Sequence, residues 1–217
     1  MFSALFLKEL SAYENVLLAN GEIPQGEIPL ALLSNASRIV CCDGAVHKLL
    51  QLGYEPSAIV GDCDSISGEL LECYQHLVRP DKNVEYNDFN KALRYYIGQG
   101  VAKVAVLGGF GLREDHALAN VGIMMMFAEE KAMELLMVTN YGVFSPVFKT
   151  TSFNSYPGQQ ISVFSFSKDT ELTFSGLKYP VVRRKFEHLW EGSLNEARSD
   201  NFTVEFEKGK VLVYRAF

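Results

Sequence analysis

The sequence has few cysteines, and none of them has the spacing of a zinc site. All four, Cys41, Cys42, Cys63 and Cys73, lie in the first third of the 217-residue chain. Cys41 and Cys42 are adjacent and cannot form an ordinary disulfide with each other, and no CxxC pair is present. We therefore expect buried, reduced thiols, and we expect the carboxylates on either side of Cys63 to disfavour its thiolate.

Clustered positive charge is also scarce. The chain has 20 Lys and Arg against 26 Asp and Glu, for a net charge of -6, and its only basic cluster is residues 183–185. A surface that follows nucleic-acid phosphates needs clustered Lys and Arg. We therefore do not expect nucleic acid as the main partner.

Long hydrophobic runs are missing as well. The apolar run before Lys8 is too short for a signal sequence, and Glu129 interrupts the apolar stretch around Met125 before it could span a membrane. The hydrophobic fraction of 48% with 21% charged residues is typical of a globular protein. These features predict a soluble, cytoplasmic protein with no membrane segment.

Up to residue 141, predicted strands alternate with predicted helices. This alternation favours an α/β fold, a doubly wound and mostly parallel sheet with helices on both faces. The helix predicted at 117–131 is apolar nearly all round, so we expect it to be packed within the core. The predicted strands are 16–19, 38–42, 58–60, a short one near 78, 101–107 and 133–139, and the other predicted helices are 29–34, 45–52, 69–75 and one beginning at 88.

After residue 141 the pattern changes to short β-rich runs separated by glycine turns. No helical periodicity lies between these runs, which predicts a second module, an all-β sandwich of about 75 residues. We therefore divide the chain into domains 1–141 and 142–217. The predicted runs are 143–148, 160–166, 171–174, 202–207 and 210–215.

The stretch AIVGDCDS at residues 58–65 places two carboxylates directly after a predicted strand. Gly61 permits a tight turn there, and Asp62 and Asp64 can point the same way because they are two residues apart. Two such charges about 5 Å apart repel by roughly 3 kcal/mol at an effective dielectric of about 20, which a divalent cation would offset. Oxygen ligands favour Mg²⁺. The alternatives are a solvated acidic turn, or Asp64 as the cap of a helix that begins near Ser67.

Acidic residues occur at three further element ends, namely Asp43 before Gly44, Asp88 at a helix start, and Asp115. Because the carboxyl ends of parallel strands meet at one edge of a sheet, we expect a single site. Lys91 stands one helical turn after Asp88 and is a candidate nucleotide contact, with a simple ion pair between the two residues as the alternative.

A glycine-rich loop at residues 108–111 is followed by Arg113, and this combination suits phosphate. Backbone amides at Gly109 and Gly111 can approach phosphate oxygens, and a guanidinium can fork onto them. His116 is a candidate proton carrier or phosphate contact, or else a structural histidine, and Asn120 lies one turn later. The Asn20 and Gly21 turn could also face a nucleotide, but Asn-Gly is equally a common turn.

These motifs resemble those of the thiamine pyrophosphokinase family and occur in the same order. The likeness covers nearly the whole chain, and the combination is specific although no single piece is. Asn87 stands where the family usually has threonine, and Tyr179 stands where it commonly has tryptophan. The matching segments are CDGA from Cys42, PxxIVGDCDS from Pro56, NDFNKAL from Asn87, LGGFGLREDHALAN from Leu107, SGLKYP from Ser175 and GSLNEA from Gly192.

The resemblance implies an α/β catalytic domain, a β-sandwich that binds thiamine, and a homodimer with thiamine near the subunit interface. It implies Mg²⁺ on Asp62, Asp64 and Asp88, ATP as co-substrate, and Asp43 and Asp115 as further catalytic residues. Residues implied or expected to contact the nucleotide are Asn20, Gly21, Gly44, Gly61, Ser65, Lys91, Gly109, Gly111, Arg113, His116 and Asn120. Residues implied to contact thiamine are Asn87, Tyr179, Ser193 and Asn195.

The predicted reaction is transfer of a diphosphoryl group from ATP to the hydroxyl of thiamine, giving thiamine diphosphate and AMP. Either Asp43 or Asp115 could orient or deprotonate that hydroxyl. The alternatives are a pyrophosphokinase for another small alcohol such as a pterin, and a sensor that binds thiamine or nucleotide without turnover.

Overall fold

The computed structural model describes residues 4–217, and their side chains from residue 7 onward. The chain forms two compact units. The first, called here the α/β unit, consists of residues 13–140. The second, called here the β unit, consists of residues 141–217 and the N-terminal helix α1 (Ala4–Ser11). The sequence did not predict α1, and the division at 141 had placed it in the first domain.

The sheet of the α/β unit has six parallel strands in the order β6-β5-β1-β2-β3-β4. The chain builds outward from β1 to β4 and then returns to the other side of β1 with β5. In sheets of this kind, ligands bind outside the carboxyl ends of the strands at the point where the order reverses. The strands are β1 (Asn15–Leu18), β2 (Arg38–Cys42), β3 (Ala58–Gly61), β4 (Val78–Pro80), β5 (Lys103–Leu107) and β6 (Glu134–Val138).

Helices separate the strands of this unit, which confirms the predicted alternation. The predicted core face of the helix from Asp88 is correct, since Phe89, Leu93 and Tyr96 are all buried, and the Tyr96 hydroxyl donates to the carbonyl of Val16 at 2.7 Å. The helices are α2 (Glu27–Ser34), α3 (Ala45–Gln51), α4 (Gly68–Tyr74), α5 (Asp88–Gly98) and α6 (Glu114–Glu130), with a 3₁₀ turn at Gln75–Leu77.

Helix α6 differs from its prediction. It begins three residues earlier than expected, and it is not packed on all sides, because Leu118 is 74% exposed. Its buried residues form one stripe that includes Val121, Met124 and Phe127. The apolar composition of α6 therefore does not mean that the helix is buried on all sides.

The β unit contains two four-stranded antiparallel sheets that share one hydrophobic core, which confirms the predicted sandwich. The rings of Phe153 and Phe202, whose centres are 5.1 Å apart, stack within this core. One sheet has the order β12-β9-β14-β7, with β7 (Gly142–Val147), β9 (Gln160–Ser165), β12 (Asn195–Glu196) and β14 (Val211–Ala216). The other has the order β11-β10-β13-β8, with β8 (Thr151–Asn154), β10 (Glu171–Ser175), β11 (Val181–Lys185) and β13 (Asn201–Glu205).

An ion pair connects α1 to the strands of the β unit. Arg215 on β14 is fully buried, and its Nη1 donates to Glu9 Oε2 at 2.9 Å and to the Asn154 carbonyl at 3.1 Å. Asn154 also donates to Glu9 through its side chain, at 3.3 Å. One guanidinium therefore joins the N-terminal helix to strands of both sheets.

The burial of the cysteines agrees only in part with the prediction from the sequence. All four are free, with Cys41 and Cys42 buried, Cys63 partly buried and Cys73 exposed, so a buried position was a wrong expectation for Cys73. Burial, and then the charges of nearby aspartates, raises the pKa of Cys63, which fits the expected suppression of its thiolate.

Among residues 4–217, no helix combines the length and the apolar character needed to cross a membrane.

Candidate active site

A cavity of about 310 Å³ lies at the carboxyl ends of the central strands of the α/β unit. It is bounded by the turn after β1, Asp43 after β2, Ser65 in the turn after β3, the start of α5, and the loop between β5 and α6. Most of the predicted nucleotide contacts of this unit line it, so residues up to 100 positions apart in the chain meet here. The lining includes Asn20, Gly21, Asp43, Ser65, Asn87, Asp88, Gly109, Gly111, Arg113, His116 and Asn120.

Three carboxylates form the acidic side of this site. Oxygen atoms of Asp43, Asp62 and Asp64 all lie within 4.8 Å of one another. The Asp64 amide donates to Asp62 at 3.3 Å, and the Ser65 hydroxyl donates to Asp64 at 2.9 Å, which fixes the turn. This all-oxygen donor set fits a hard divalent cation. Asp88, which the sequence predicts as the third ligand, is not one of these three, and its role in a metal site remains a prediction.

Asp43 is the most enclosed of the carboxylates. It is 4% exposed, and its backbone lies in the left-handed region at φ 35°. Its Oδ2 accepts from the Ser65 amide at 3.2 Å, whereas Oδ1 is buried with no hydrogen-bond partner within the described part of the chain. Burial raises the pKa of Asp43, and the charges of Asp88 and Asp62 add to the increase. Such an acceptor calls for a cation or a donor that binds there.

Asp88 is paired within the protein. Lys91, which is only 4% exposed, places its ammonium 3.2 Å from Asp88 Oδ1. Burial raises the pKa of Asp88, and the Lys91 ion pair opposes that increase. The structure therefore shows the simple ion pair for Lys91, and contact with a nucleotide remains a prediction.

Gly61 leaves the space that Asp43 and Asp88 occupy, and no larger residue fits at this position. A Cβ at this position would lie 2.8 Å from the Asp43 Cβ and 3.2 Å from the Asp88 carboxylate carbon. Because Gly61 has no side chain, the carboxylates of Asp43 and Asp88 can both pack against the end of β3.

We expect Gly61→Ala to reduce kcat/KM by about 10- to 100-fold, because the added methyl displaces Asp43 and Asp88 from their positions. Overpacking also costs about 1–3 kcal/mol of folding stability. Steady-state assays and thermal denaturation measure the two effects. Gly98→Ala is the matched control, since a Cβ at that helical glycine meets nothing within 4 Å. Activity of Gly61→Ala equal to that of the control would contradict the assignment.

The glycine loop and the start of α6 form the other side of the site. Arg113 forks onto Asp115, with Nε 3.1 Å from one carboxylate oxygen and Nη2 2.6 Å from the other. Both side chains are more than 60% exposed, and exposed ion pairs of this kind contribute little stability. The side-chain amide of Asn120 is buried and donates to the Gly109 carbonyl at 2.9 Å, so it braces the loop. His116 is exposed at the cavity edge.

Two further predicted residues of the α/β unit, Gly44 and Asp115, lie near the cavity but do not line it. Gly44 lies between Ser65 and Asn20, since a Cβ there would be 3.1 Å and 3.2 Å from their side chains. Asp115 is bound to Arg113 and held outside the acidic group, and the guanidinium keeps the pKa of Asp115 at about 2.

Two of the three predicted thiamine contacts of the β unit, Tyr179 and Asn195, are hydrogen-bonded to each other. The Asn195 side chain accepts from the Tyr179 amide at 3.0 Å and donates to its carbonyl at 2.8 Å, so it fixes the backbone beneath a ring that is 58% exposed. The Ser193 hydroxyl donates to the Trp190 carbonyl at 2.6 Å. A role in thiamine binding remains a prediction for all three.

The sequence did not single out two residues near the site. Leu112 lines the cavity in a left-handed conformation at φ 72°, and no sequence signal marks a leucine for such a place. Lys48 donates to the backbone carbonyls of Asn20 and Gly21. Its position one turn after Gly44 on α3 could have suggested it.

Comparison with known proteins gives matches along most of the chain. Residues 30–137 match the family model described as thiamin pyrophosphokinase, catalytic domain, and residues 142–214 match the model described as its substrate-binding domain. Thiamine pyrophosphokinase 1 of Oryza sativa subsp. japonica is 26% identical in an alignment of 145 residues that covers 55% of this chain and 54% of the rice protein. The aligned part thus spans about half the length of that curated relative.

Solved structures show the same fold over nearly the full chain. Thiamine pyrophosphokinase from Bacillus subtilis has a TM-score of 0.79 at 20% identity, covering 93% of this chain and 98% of its own. The yeast enzyme has a TM-score of 0.80 at 18% identity, covering 97% and 90%. These similarities confirm the predicted fold class. Taken with the two family models, which together span most of the sequence, they show that the chain belongs to the thiamin pyrophosphokinase family.

Proposed function

We propose that this protein transfers a diphosphoryl group from ATP to the hydroxyl of thiamine, giving thiamine diphosphate and AMP. The observation that carries the proposal is the convergence of Asp43, Asp62 and Asp64, within 4.8 Å, beside a cavity edged by a glycine loop and Arg113. Family membership supports thiamine as the acceptor.

Mg²⁺ fits the acidic side of the site, because three carboxylates converge there and Asp43 Oδ1 has no partner among the described residues. Asp62, Asp64 and one oxygen of Asp43 would hold the ion. When bound, Mg²⁺ would neutralise charge on the polyphosphate and on the leaving AMP.

The opposite side of the cavity supplies the contacts to phosphate. Backbone amides of the loop that includes Gly109 and Gly111 approach the polyphosphate, and Asn120 keeps that loop in place through the Gly109 carbonyl. Arg113 exchanges Asp115 for phosphate oxygens at small cost, because the Asp115 pair is exposed. Arg113 then stabilises charge on the group being transferred.

Two aspartates could orient the thiamine hydroxyl, and they differ in position relative to the cavity. Asp115 is exposed and does not line the cavity. Asp43 lines the cavity and is 4% exposed. We therefore assign this role to Asp43 rather than to Asp115.

The reaction products provide the direct test. Incubation with ATP, Mg²⁺ and thiamine should yield equal amounts of AMP and thiamine diphosphate, measured by chromatography, and chelation of Mg²⁺ should stop both. Formation of ADP and thiamine monophosphate would overturn the proposal. Turnover of a pterin alcohol in preference to thiamine, or ligand binding without any turnover, would favour one of the alternative functions.

We further propose a homodimer that binds thiamine near the subunit interface, on the basis of the family resemblance. Tyr179, Ser193 and Asn195 of the β unit and Asn87 of the α/β unit are the proposed thiamine contacts. Sedimentation of the protein at assay concentration tests the dimer. The cytoplasmic location and the absence of a nucleic-acid partner stay predictions from composition.

A further inference from the structure

We infer that Lys48 is a positioning residue for nucleotide binding, one that locks the turn after β1 against the glycine loop. This inference rests on the proposed function, since it concerns the same cavity. Lys48 does not itself line the cavity, so it would act through the backbone that it holds.

The Lys48 ammonium binds two consecutive carbonyls. Its Nζ donates to the Asn20 carbonyl at 2.8 Å and to the Gly21 carbonyl at 2.6 Å. Two neighbouring carbonyls that face one point repel each other unless a donor or a cation lies between them. The side chain crosses from α3 to the turn after β1, and burial lowers the pKa of Lys48.

The turn that Lys48 holds is bonded directly to the glycine loop. The Gly21 amide donates to the Gly108 carbonyl at 2.8 Å, and the Glu22 amide donates to the Phe110 carbonyl at 2.7 Å. The contact is so close that a Cβ on Gly21 would lie 2.3 Å from each of those carbonyl oxygens. A shift of the turn must therefore move the loop proposed to bind phosphate.

The same turn also reaches the acidic side of the site. The Asn20 side chain lies against Gly44, which lies in turn against Ser65, the residue whose amide donates to Asp43. Lys48 thus lies behind a turn that is hydrogen-bonded to the glycine loop and is linked to Asp43 through Gly44 and Ser65. Loss of its two bonds should affect nucleotide binding, and thiamine binding much less.

The test compares Lys48→Met with Lys48→Arg. Lys48→Met keeps the length of the side chain and removes its charge and its hydrogen-bond donors, whereas Lys48→Arg keeps the charge and the donors. Lys131→Met, an exposed lysine at the far end of α6, controls for loss of one positive charge. Equilibrium titration with Mg·ATP in the absence of thiamine should show about tenfold weaker binding for Lys48→Met. Lys48→Arg should recover most of the affinity, Lys131→Met should match the wild type, and KM for thiamine should change less than about twofold in all of them.

Hydrogen exchange provides a readout that needs no ligand. The amides of Gly21 and Glu22 should exchange about tenfold faster in Lys48→Met, whereas the Tyr96 region of the core should not change. Unaltered exchange and unaltered ATP affinity would overturn the inference, as would an equal loss of affinity for thiamine. If the wild type itself bound no ATP, the proposed function would fail, while the exchange result would still decide whether Lys48 holds the turn.

Discussion

Asp43→Asn is expected to give a protein that is more stable than the wild type without metal, yet nearly inactive. The substitution removes a charge that is buried beside Asp62 and Asp88 and leaves an amide that can donate to them. Relief of that repulsion should raise metal-free stability by about 1–2 kcal/mol at pH 7. Loss of the carboxylate should lower kcat by about 10²- to 10⁴-fold.

The pH dependence of stability follows from the direction of the pKa shifts. Burial raises the pKa of both Asp43 and Asp88 above the ordinary value of 3.8, so the folded state binds protons more readily than the unfolded chain. The resulting stabilisation is complete below the unfolded pKa and is lost as pH rises through the folded pKa. Metal-free wild type should therefore gain stability from these two groups on mild acidification, and Asp43→Asn should retain only the part that comes from Asp88.

Thermal denaturation between pH 4.5 and 7.5, with and without Mg²⁺, measures these effects. Added Mg²⁺ should stabilise the wild type and should stabilise Asp43→Asn much less. Asp169→Asn, at an exposed position of the β unit, is the control for loss of one negative charge. An Asp43→Asn protein that is less stable than the wild type at pH 7 would show that the buried carboxylate contributes favourably without its cation.

The order of elements and most of the α/β unit could be predicted from the sequence because its strands are buried and its helices are periodic. The runs before Asp43 and Asp62 are mostly apolar, and each has a glycine next to its aspartate, which is how a strand ends at a polar edge. Parallel topology then requires those ends to converge, so the site followed from the strand order.

The features that escaped prediction are polar, short or dependent on distant contacts. Strand β11 carries the sequence VVRRK with four of its five residues exposed, and it pairs only because β10 lies beside it. The exposed face of α6 could not be recognised, since Leu118 is apolar and yet faces outward. The ion pair of Lys91 with Asp88 was one of two open alternatives, because the spacing of the two residues does not say whether a ligand separates them.

Removal of Glu9 is expected to cost the β unit about 3 kcal/mol of folding stability. Arg215 is fully buried, and without Glu9 its charge would lose the carboxylate that compensates it. Substitution of the other member of the pair, Arg215→Met, should reduce folding stability by less, because the Glu9 side chain is 27% exposed and can be hydrated. In Glu9→Ala, helix α1 should detach from the strands before the rest of the β unit unfolds, since this ion pair joins α1 to them.

The double substitution Glu9→Leu with Arg215→Met separates charge compensation from packing. Replacing both members of a buried pair by apolar side chains is often neutral or stabilising, so the double variant should recover most of the loss. Thermal denaturation and limited proteolysis of residues 4–12 measure stability and detachment. Glu171→Ala, which breaks an exposed pair with Arg183, is the matched control and should change stability by less than about 0.5 kcal/mol. A Glu9→Ala loss no larger than that of the control would mean that α1 is held by its apolar contacts alone.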